Sequence, residues 1–188
     1  MQAWNEIPEA KLDTPKGIGW VFVLIRIILI VLYVLSLFVI HIFLSFLGMK
    51  NACQFVVKLA CAGCLKIIGI KLRKTGKVMN YAGAVVANHS SWLDIFVLNA
   101  VQKVYFVSKS EVKKWPLIGK IANQVGTVFI RRSRIDAIKQ KNIFLSRITL
   151  GDKLLFFPEG TSTDGRRILP FKSTLFAAFF ETGLPNVE

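Results

Sequence analysis

An uncharged apolar stretch, residues 27–47, limits what this chain can fold into more than any other feature. It reads IILIVLYVLSLFVIHIFLSFL and reaches the roughly 20 residues that a helix needs to cross a bilayer. The stretch is too long for the apolar core of a signal peptide, and a small-residue cleavage site is not obvious after it. It therefore predicts an N-terminal membrane helix, in which we interpret His41 as a tolerated polar residue.

A second apolar stretch, residues 55–70, is interrupted by Lys58 and Lys66, which fall roughly on one side of a helix. This pattern predicts an amphipathic helix in or against the membrane interface. The sequence leaves open whether the first helix spans the bilayer or enters it and returns with the second. More positive charge follows the long apolar stretch than precedes it. This asymmetry predicts attachment to a cytoplasmic or inner membrane, with the C-terminal part in the cytoplasm.

The composition supports a membrane protein. Hydrophobic residues make up 53% of the chain, the mean hydropathy is +0.51, and the formal net charge is +14. A hydrophobic composition together with a positive net charge predicts membrane lipids as partners. Nucleic acid is the competing interpretation of the charge, but most aromatic residues lie in apolar runs, so we predict no nucleic-acid partner. Three cysteines and two histidines do not make a zinc site, so no metal is predicted.

Beyond residue 83, short apolar runs alternate with helical patterns. The runs lie at residues 84–87, 104–107, 127–130 and 154–157, and the helices lie from about Trp92, then at 110–125 with a break at Pro116, 135–150 and 172–182. This alternation is typical of an α/β fold with a mainly parallel sheet covered by helices. We predict membrane-anchoring helices over residues 1–70 and an α/β domain over 71–188, with a small hairpin or edge strand at 71–81.

Polar residues follow the predicted strands directly. His89, Lys109, Arg131 and Glu159 each come just after one of the four apolar runs. In open parallel sheets, ligands bind at the carboxyl ends of the strands. We therefore expect these side chains to converge on one edge of the sheet.

His89 and Asp94 form a candidate catalytic dyad. Within one helix, side chains five residues apart would point well away from each other. They meet only if His89 lies in the loop before a helix and Asp94 in its first turn, with Ser90 or Ser91 as the N-cap. Asp94 would then fix the imidazole tautomer and leave the other ring nitrogen as a base for a substrate hydroxyl. The alternative is a capping box from Ser91 to Asp94, with His89 an ordinary loop residue.

Three sequence blocks occur in a fixed order: residues 88–94 (NHSSWLD), 126–132 (GTVFIRR) and 157–161 (FPEGT). Together they resemble the first three blocks of the glycerolipid acyltransferases typified by bacterial 1-acyl-sn-glycerol-3-phosphate acyltransferase. The resemblance covers about residues 83–180, and the hydrophobic N-terminal helices look like that family's membrane anchor. It implies transfer of a fatty acyl group from acyl-CoA or acyl carrier protein to a lysophospholipid or other lysolipid hydroxyl, with no cofactor.

The resemblance also implies roles for the dyad. His89 would be the general base and Asp94 would orient and charge-stabilise it, with direct transfer and no covalent acyl-enzyme. A thioester is already activated, so the chemistry needs a positioned base, a head-group site and an apolar slot for acyl chains. The sequence has no evident nucleophile elbow and no cysteine close to the motif residues, which disfavours a covalent route.

Six residues are candidates for substrate binding: Lys109, Arg131, Arg132, Glu159, Gly160 and Thr161. Arg131 and Arg132 suit a phosphate through charge-assisted forks, or they form a basic strand end facing anionic lipid. Glu159 bonds the acceptor or pins its loop, and Gly160 lets backbone approach the acceptor or makes an ordinary turn. The resemblance implies a phosphate-contacting lysine at Lys109, although two other lysines follow closely.

Two departures from the family pattern bear on function. Members that form phosphatidic acid commonly have an arginine after Pro-Glu-Gly-Thr, where this chain has Ser162. Either Arg166 or Arg167 supplies that charge, or the acceptor is another lysolipid such as lyso-ornithine lipid. The chain also stops at Glu188, about where the family's fourth block would begin, so we expect a C-terminally incomplete acyltransferase domain.

We predict a membrane-anchored lysolipid acyltransferase with conversion of lysophosphatidic acid to phosphatidic acid as its leading reaction. Acylation of another lysolipid, such as lyso-ornithine lipid, is the alternative within the same class. A basic membrane-anchored module that binds anionic lipid without turnover is the alternative from a different class.

Overall fold

The computed structural model describes residues 15–131, 137–173 and 176. Two helices come first: α1 spans Gly19–Phe46 and α2 spans Lys50–Ile68. Helix α1 contains the predicted apolar stretch except its last residue, but it begins earlier and takes in Arg26. The Arg26 guanidinium donates to the carbonyl of Ile68 at 3.2 Å. This cation therefore lies at the C-terminal end of α2, where the helix dipole is negative.

Helices α1 and α2 form an antiparallel hairpin. The Tyr33 hydroxyl donates to the Leu59 carbonyl at 2.8 Å. A Cβ atom at Gly63 would lie 2.4 Å from the Tyr33 ring, so the helices approach this closely because position 63 has no side chain. Both helices are long and apolar enough to cross a membrane, and the most apolar window of α1 is 0% buried against 33% for α2. These properties fit the predicted N-terminal membrane anchor.

Helix α2 also packs against the α/β part of the chain. Cys61 and Leu65 of α2 form a buried cluster with Ala100, which belongs to helix α3, Leu93–Val101. The Lys58 ammonium donates to the carbonyl of Val101 at 3.2 Å. Helix α2 therefore lies between α1 and α3, and part of the surface that the sequence assigns to the membrane interface is covered by protein.

A parallel sheet carries the rest of the fold. Its strands are β1 (Gly83–Val86), β2 (Tyr105–Lys109), β3 (Val128–Ile130) and β4 (Lys153–Phe156), and the described residues also form helices α4 (Ile118–Gln124) and α5 (Ala137–Thr149). The strand order is β1-β4-β2-β3, and all three strand pairs are parallel. The predicted α/β fold with a parallel sheet and helices is confirmed, with strand ends within about two residues of those expected from sequence.

Strand β4 lies between β1 and β2 and forms the centre of the core. Leu154 and Leu155 are completely buried, which explains why this strand is a continuous apolar run rather than an alternating one. Phe144 of α5 belongs to the same core cluster. Because β4 pairs with β1, the loop that carries Glu159 lies beside the loop that carries His89.

One predicted element is absent from the structure, and the predicted break at Pro116 is present with a 3-10 helix before it. Residues 71–81 form no strand or hairpin, because repeated lysine and arginine residues leave too little apolar surface for a strand to bury. The predicted helix at 110–125 is divided into a 3-10 helix, Ser110–Lys114, and helix α4. Pro116 causes the division, since it lacks an N–H and disfavours helical backbone in the preceding residue. Nearly all of the predicted 172–182 helix lies outside the described residues.

Candidate active site

His89 lies in the loop after β1, and Asp94 lies in the first turn of α3. His89 Nδ1 is 2.8 Å from Asp94 Oδ2, which is the arrangement that the five-residue spacing predicts. Helix α3 begins at Leu93 with Trp92 as its N-cap, one residue later than expected. The Ser91 hydroxyl nevertheless accepts the Leu93 N–H at 3.1 Å, so it satisfies a free helix donor as a cap does.

The Asp94 carboxylate is held by several donors. Oδ2 also accepts the N–H groups of Ser90 at 2.7 Å and Ser91 at 3.0 Å, and Oδ1 accepts the Ser90 hydroxyl at 3.1 Å. Burial by itself raises the pKa of Asp94, but hydrogen bonds from the Ser91 N–H, the His89 ring and Ser90 outweigh it, so the pKa is lowered. Asp94 is therefore ionised at neutral pH, and it closes the start of α3 while holding the imidazole.

The His89 ring is fixed in one orientation. Because an ionised carboxylate only accepts, Nδ1 carries the proton in this pair and Nε2 is left with its lone pair. Nε2 has no hydrogen-bond partner among the described residues. The ring stacks on Phe157 with centroids 4.0 Å apart and planes 11° apart, and Phe157 in turn contacts Phe106. The site can thus present Nε2 as a base without searching side-chain rotamers.

Glu159 connects the loop after β4 to the loop after β1. It is 2% exposed. Its Oε1 accepts the His89 N–H at 3.2 Å, and its Oε2 accepts the Leu169 N–H at 2.9 Å. Glu159 is not among the residues that line the cleft beside His89. Of the two interpretations offered by the sequence, these contacts favour the one in which Glu159 pins its loop.

Thr163 bonds the other backbone group of His89. Its N–H donates to the His89 carbonyl at 2.8 Å, and its hydroxyl lies 3.4 Å from the same oxygen. The Thr163 hydroxyl also accepts the Gly165 N–H at 3.2 Å. The loop after β4 therefore engages both the N–H and the carbonyl of His89, so the order of this loop sets the position of the imidazole.

An open cleft of about 290 Å³ lies at the carboxyl edge of the sheet. Four predicted site residues line it, namely His89, Lys109, Gly160 and Thr161. Gly160 has a φ of 76°, in the left-handed region that glycine adopts without strain. The other lining residues are Val107, Ser108, Val112, Trp115, Ile130, Phe156, Phe157 and Ser162. Polar and apolar side chains thus both line the cleft beside His89.

The two arginines of the second block are placed differently from the cleft residues. Arg131 follows β3 with an exposed side chain and is not among the cleft-lining residues. Its carbonyl accepts a hydrogen bond from the Gln140 amide. Arg132 lies outside the described residues. Across the described ranges, no group of three or more His, Cys, Asp or Glu side chains is placed to hold a metal ion.

Sequence reasoning missed three contributors to the site. Phe157 stands inside a recognised block, but nothing in the sequence indicates that it stacks on His89. The sequence suggests Ser90 only as an N-cap, whereas its N–H and its hydroxyl both donate to the Asp94 carboxylate. Thr163 is 74 residues from His89, and its contact depends on the pairing of β1 with β4, which the sequence does not reveal.

Glu159→Gln is expected to destabilise the protein and to lower the turnover number. Glutamine keeps the shape but turns one acceptor into a donor, so the N–H of His89 or of Leu169 loses its partner in a buried site. An unsatisfied buried group costs about 1–3 kcal/mol, which thermal unfolding in detergent would measure. The control is Glu111→Gln, at an exposed position. An unchanged melting temperature with a raised KM for the acceptor would assign Glu159 to acceptor binding instead.

Comparison with known proteins identifies the family of this chain. A sequence model of the acyltransferase family matches residues 70–187, more than half of the chain. The chain belongs to the acyltransferase family. The match includes the His89–Asp94 pair, every residue that lines the cleft, and Thr163, which bonds the His89 carbonyl.

Two relatives within the acyltransferase family differ in the acceptor that their names give. The chain is 54% identical over 132 residues to the lyso-ornithine lipid O-acyltransferase of Rhodobacter capsulatus, covering 70% of this chain and 48% of the relative. It is 42% identical over 100 residues to the 1-acyl-sn-glycerol-3-phosphate acyltransferase of Neisseria gonorrhoeae, covering 53% of this chain and 39% of the relative. The chain spans about half the length of the first of these curated relatives.

A solved structure shares the fold. The crystal structure of the 1-acyl-sn-glycerophosphate acyltransferase from Thermotoga maritima matches with a TM-score of 0.63 at 22% identity, over 85% of this chain and 73% of that one. At this identity the likeness establishes the fold alone. The common fold includes the N-terminal helices in part, since the matched share of this chain exceeds the α/β domain.

Proposed function

We propose that this chain is the catalytic part of a membrane-bound lysolipid O-acyltransferase. The observation that carries the proposal is the His89–Asp94 pair, 2.8 Å apart, with His89 on the wall of the cleft. Nε2 takes the proton of the acceptor hydroxyl while the oxygen attacks the thioester carbonyl carbon of acyl-CoA or acyl carrier protein. The carbon–sulfur bond then breaks, and the departing thiolate takes the proton back from the imidazolium, which Asp94 stabilises.

Direct transfer is the form of the reaction that the site supports. A covalent route needs a nucleophile hydrogen-bonded to the base, and Nε2 has no such partner among the described residues. The three cysteines, Cys53, Cys61 and Cys64, all lie in α2, away from the cleft. The thioester donor is already activated, so one oriented base and a shaped cleft are sufficient.

We infer that the acceptor is lyso-ornithine lipid, which replaces the preference for lysophosphatidic acid drawn from the sequence. Two observations support the change. Ser162, not an arginine, stands on the cleft wall, and an arginine fork is the group best suited to a phosphate. The relative from Rhodobacter capsulatus, 54% identical, is named for this acceptor. An ornithine head group presents a carboxylate, for which a single lysine charge is adequate.

Lys109→Ala is expected to raise the KM for the acceptor about tenfold or more and to leave the KM for the acyl donor nearly unchanged. Lys109 lines the cleft, and a hydrogen bond to a charged group contributes about 1.5–3 kcal/mol. Arg131→Ala is the matched control, since it removes a cation of the same edge that does not line the cleft. Initial rates against acceptor concentration would measure both. If Arg131→Ala raises the KM for the acceptor more than Lys109→Ala does, the head-group site lies at the end of β3 instead.

We propose that the membrane anchor comprises residues 1–70 and the acyltransferase domain begins at 71. The start of the family match at residue 70 and the α1–α2 hairpin support this division. The exposed face of α1 is the lipid-contacting surface, and the excess of lysine and arginine after α1 supports a cytoplasmic position for the α/β domain.

The proposed function is tested by acyl transfer in membranes that contain the full-length protein. Labelled acyl-CoA and acyl carrier protein are offered with lyso-ornithine lipid, lysophosphatidic acid and other lysolipids. We expect product that depends on His89 and is greatest with lyso-ornithine lipid. Preference for lysophosphatidic acid would restore the acceptor first expected from the sequence. If no acceptor gives product, the proposed enzyme function is wrong, and the alternative of a module that binds anionic lipid without turnover is favoured.

A further inference from the structure

An apolar loop stands at the mouth of the cleft. Residues 115–118, which we call the WPLI loop, run from the end of the 3-10 helix to the first residue of α4. Trp115, Leu117 and Ile118 are 54%, 69% and 55% exposed. Three large apolar side chains so exposed within four residues form a patch rather than the single exposed residues normal on protein surfaces. Trp115 also lines the cleft with His89, so the patch continues into the catalytic site.

The backbone holds the WPLI loop outward. Leu117 has a φ of 59°, in a region that is strained for a residue with a branched, bulky side chain. A Cβ atom at Gly119 would lie 2.2 Å from the carbonyl oxygen of Lys113, so the start of α4 is pressed against the 3-10 helix. Leu117 is nevertheless 69% exposed. Because the Leu117 side chain is exposed, its burial in the core does not offset the backbone strain. This combination points to a role in contacts outside the fold.

Basic residues surround the WPLI loop. Lys113 and Lys114 precede it and Lys120 follows it, all with exposed side chains, while Glu111 is the single acidic residue between 109 and 120. An apolar loop with lysines before and after it is complementary to an anionic bilayer surface. The apolar side chains enter the acyl region, while the ammonium groups stay among the lipid phosphates. Tryptophan is favoured at that boundary.

We propose that the WPLI loop inserts into an anionic lipid surface and places the mouth of the cleft where a lysolipid leaves the bilayer. This is a second membrane contact, separate from the α1–α2 hairpin. The delivery of lysolipid rests on the proposed function, whereas the insertion does not. The loop acts on access to the site and not on the chemistry at His89.

Insertion is tested with full-length protein in which Trp115 is the one remaining tryptophan, the others being replaced by phenylalanine. Vesicles contain phosphatidylglycerol and phosphatidylcholine with brominated acyl chains, which quench tryptophans that reach the acyl region. We expect strong quenching of Trp115, comparable with a matched variant that keeps only Trp20 of α1. Quenching of Trp20 without quenching of Trp115 would overturn the proposal. Equal quenching of Trp115 in vesicles that lack phosphatidylglycerol would show that insertion does not require anionic lipid, and would overturn that part of the proposal.

Delivery is tested with Leu117→Ser combined with Ile118→Ser, neither of which lines the cleft. We expect turnover of a lysolipid embedded in vesicles to fall about tenfold or more, since two apolar side chains no longer enter lipid. Turnover of a short-chain lysolipid dissolved below its micelle concentration should stay unchanged. Ile138→Ser, at an exposed position on α5, is the control. Equal losses of turnover with both substrates would overturn the delivery of lysolipid by the loop. Absence of turnover in the unaltered protein would mean that the proposed function is wrong. The quenching of Trp115 would then still test insertion.

Discussion

Replacing His89 with alanine is expected to lower the turnover number for acyl transfer by about 10²–10⁴-fold. Nε2 of the imidazole faces no hydrogen-bond partner among the described residues and can take a hydroxyl proton. Asp94 fixes this tautomer by binding Nδ1. Substrate binding should change little, because Lys109, Gly160 and Thr161 remain on the wall of the cleft. Initial rates at saturating donor and acceptor would measure the loss.

The alanine variant also removes a ring that stacks on Phe157 at 4.0 Å. His89→Gln is therefore the companion variant, since it retains bulk beside Phe157 but has no basic nitrogen. Both variants should be inactive, and thermal unfolding should report that the glutamine form is folded. Substantial activity in either variant would remove His89 from the role of general base.

Asp94→Asn is expected to lower the turnover number by about 10–100-fold, less than Asp94→Ala. The Asp94 Oδ2 position accepts three N–H donors, so the asparagine oxygen should occupy it, while the asparagine NH₂ donates to the Ser90 hydroxyl, whose proton can rotate away. The imidazole tautomer is then preserved, and only the negative charge is lost. A charge-assisted hydrogen bond contributes about 1.5–3 kcal/mol, which corresponds to this range. Asp94→Ala loses the orientation of the ring as well. Equal activity of the asparagine variant and the unaltered protein would show that the negative charge of Asp94 does not contribute to catalysis.

Acid stability distinguishes the same two variants from the unaltered protein. Because the folded pKa of Asp94 is lowered, the ionised carboxylate adds stability that is fully present above the ordinary aspartate pKa of about 3.9. That contribution is lost as the pH falls through the folded pKa. The stability advantage over Asp94→Asn should therefore be constant near neutral pH and shrink in acid, as unfolding in detergent would measure.

The parts of the fold that depend on local pattern were predictable from the sequence. Each strand is a short apolar run between turn signals, and β4 is continuous in its hydrophobicity because it is central. The His89–Asp94 contact was also predictable, since its partners are five residues apart and a helix start between them fixes the geometry. The division of the 110–125 segment follows from Pro116, although the sequence did not give the 3-10 form of its first half.

The parts that depend on distant contacts were not predictable. Glu159 and Thr163 bond the backbone of His89 across 70 and 74 residues, and the sequence does not identify that partner even where it offers loop pinning for Glu159. The positive φ of Leu117 could not be foreseen either, because leucine does not favour that conformation.

The neighbouring positions of β1 and β4 in the sheet have a consequence for how the protein is made. Synthesis proceeds from the N-terminus, so the hairpin and the His89–Asp94 pair leave the ribosome well before the residues that bond the His89 backbone. Closing the sheet between β1 and β4 joins segments about 70 residues apart, a slow kind of contact because a long loop must be ordered first. We therefore expect that a nascent chain can reach the membrane through α1 before it can hold a base in place, and that the proposed acyl transfer requires β4 to have docked.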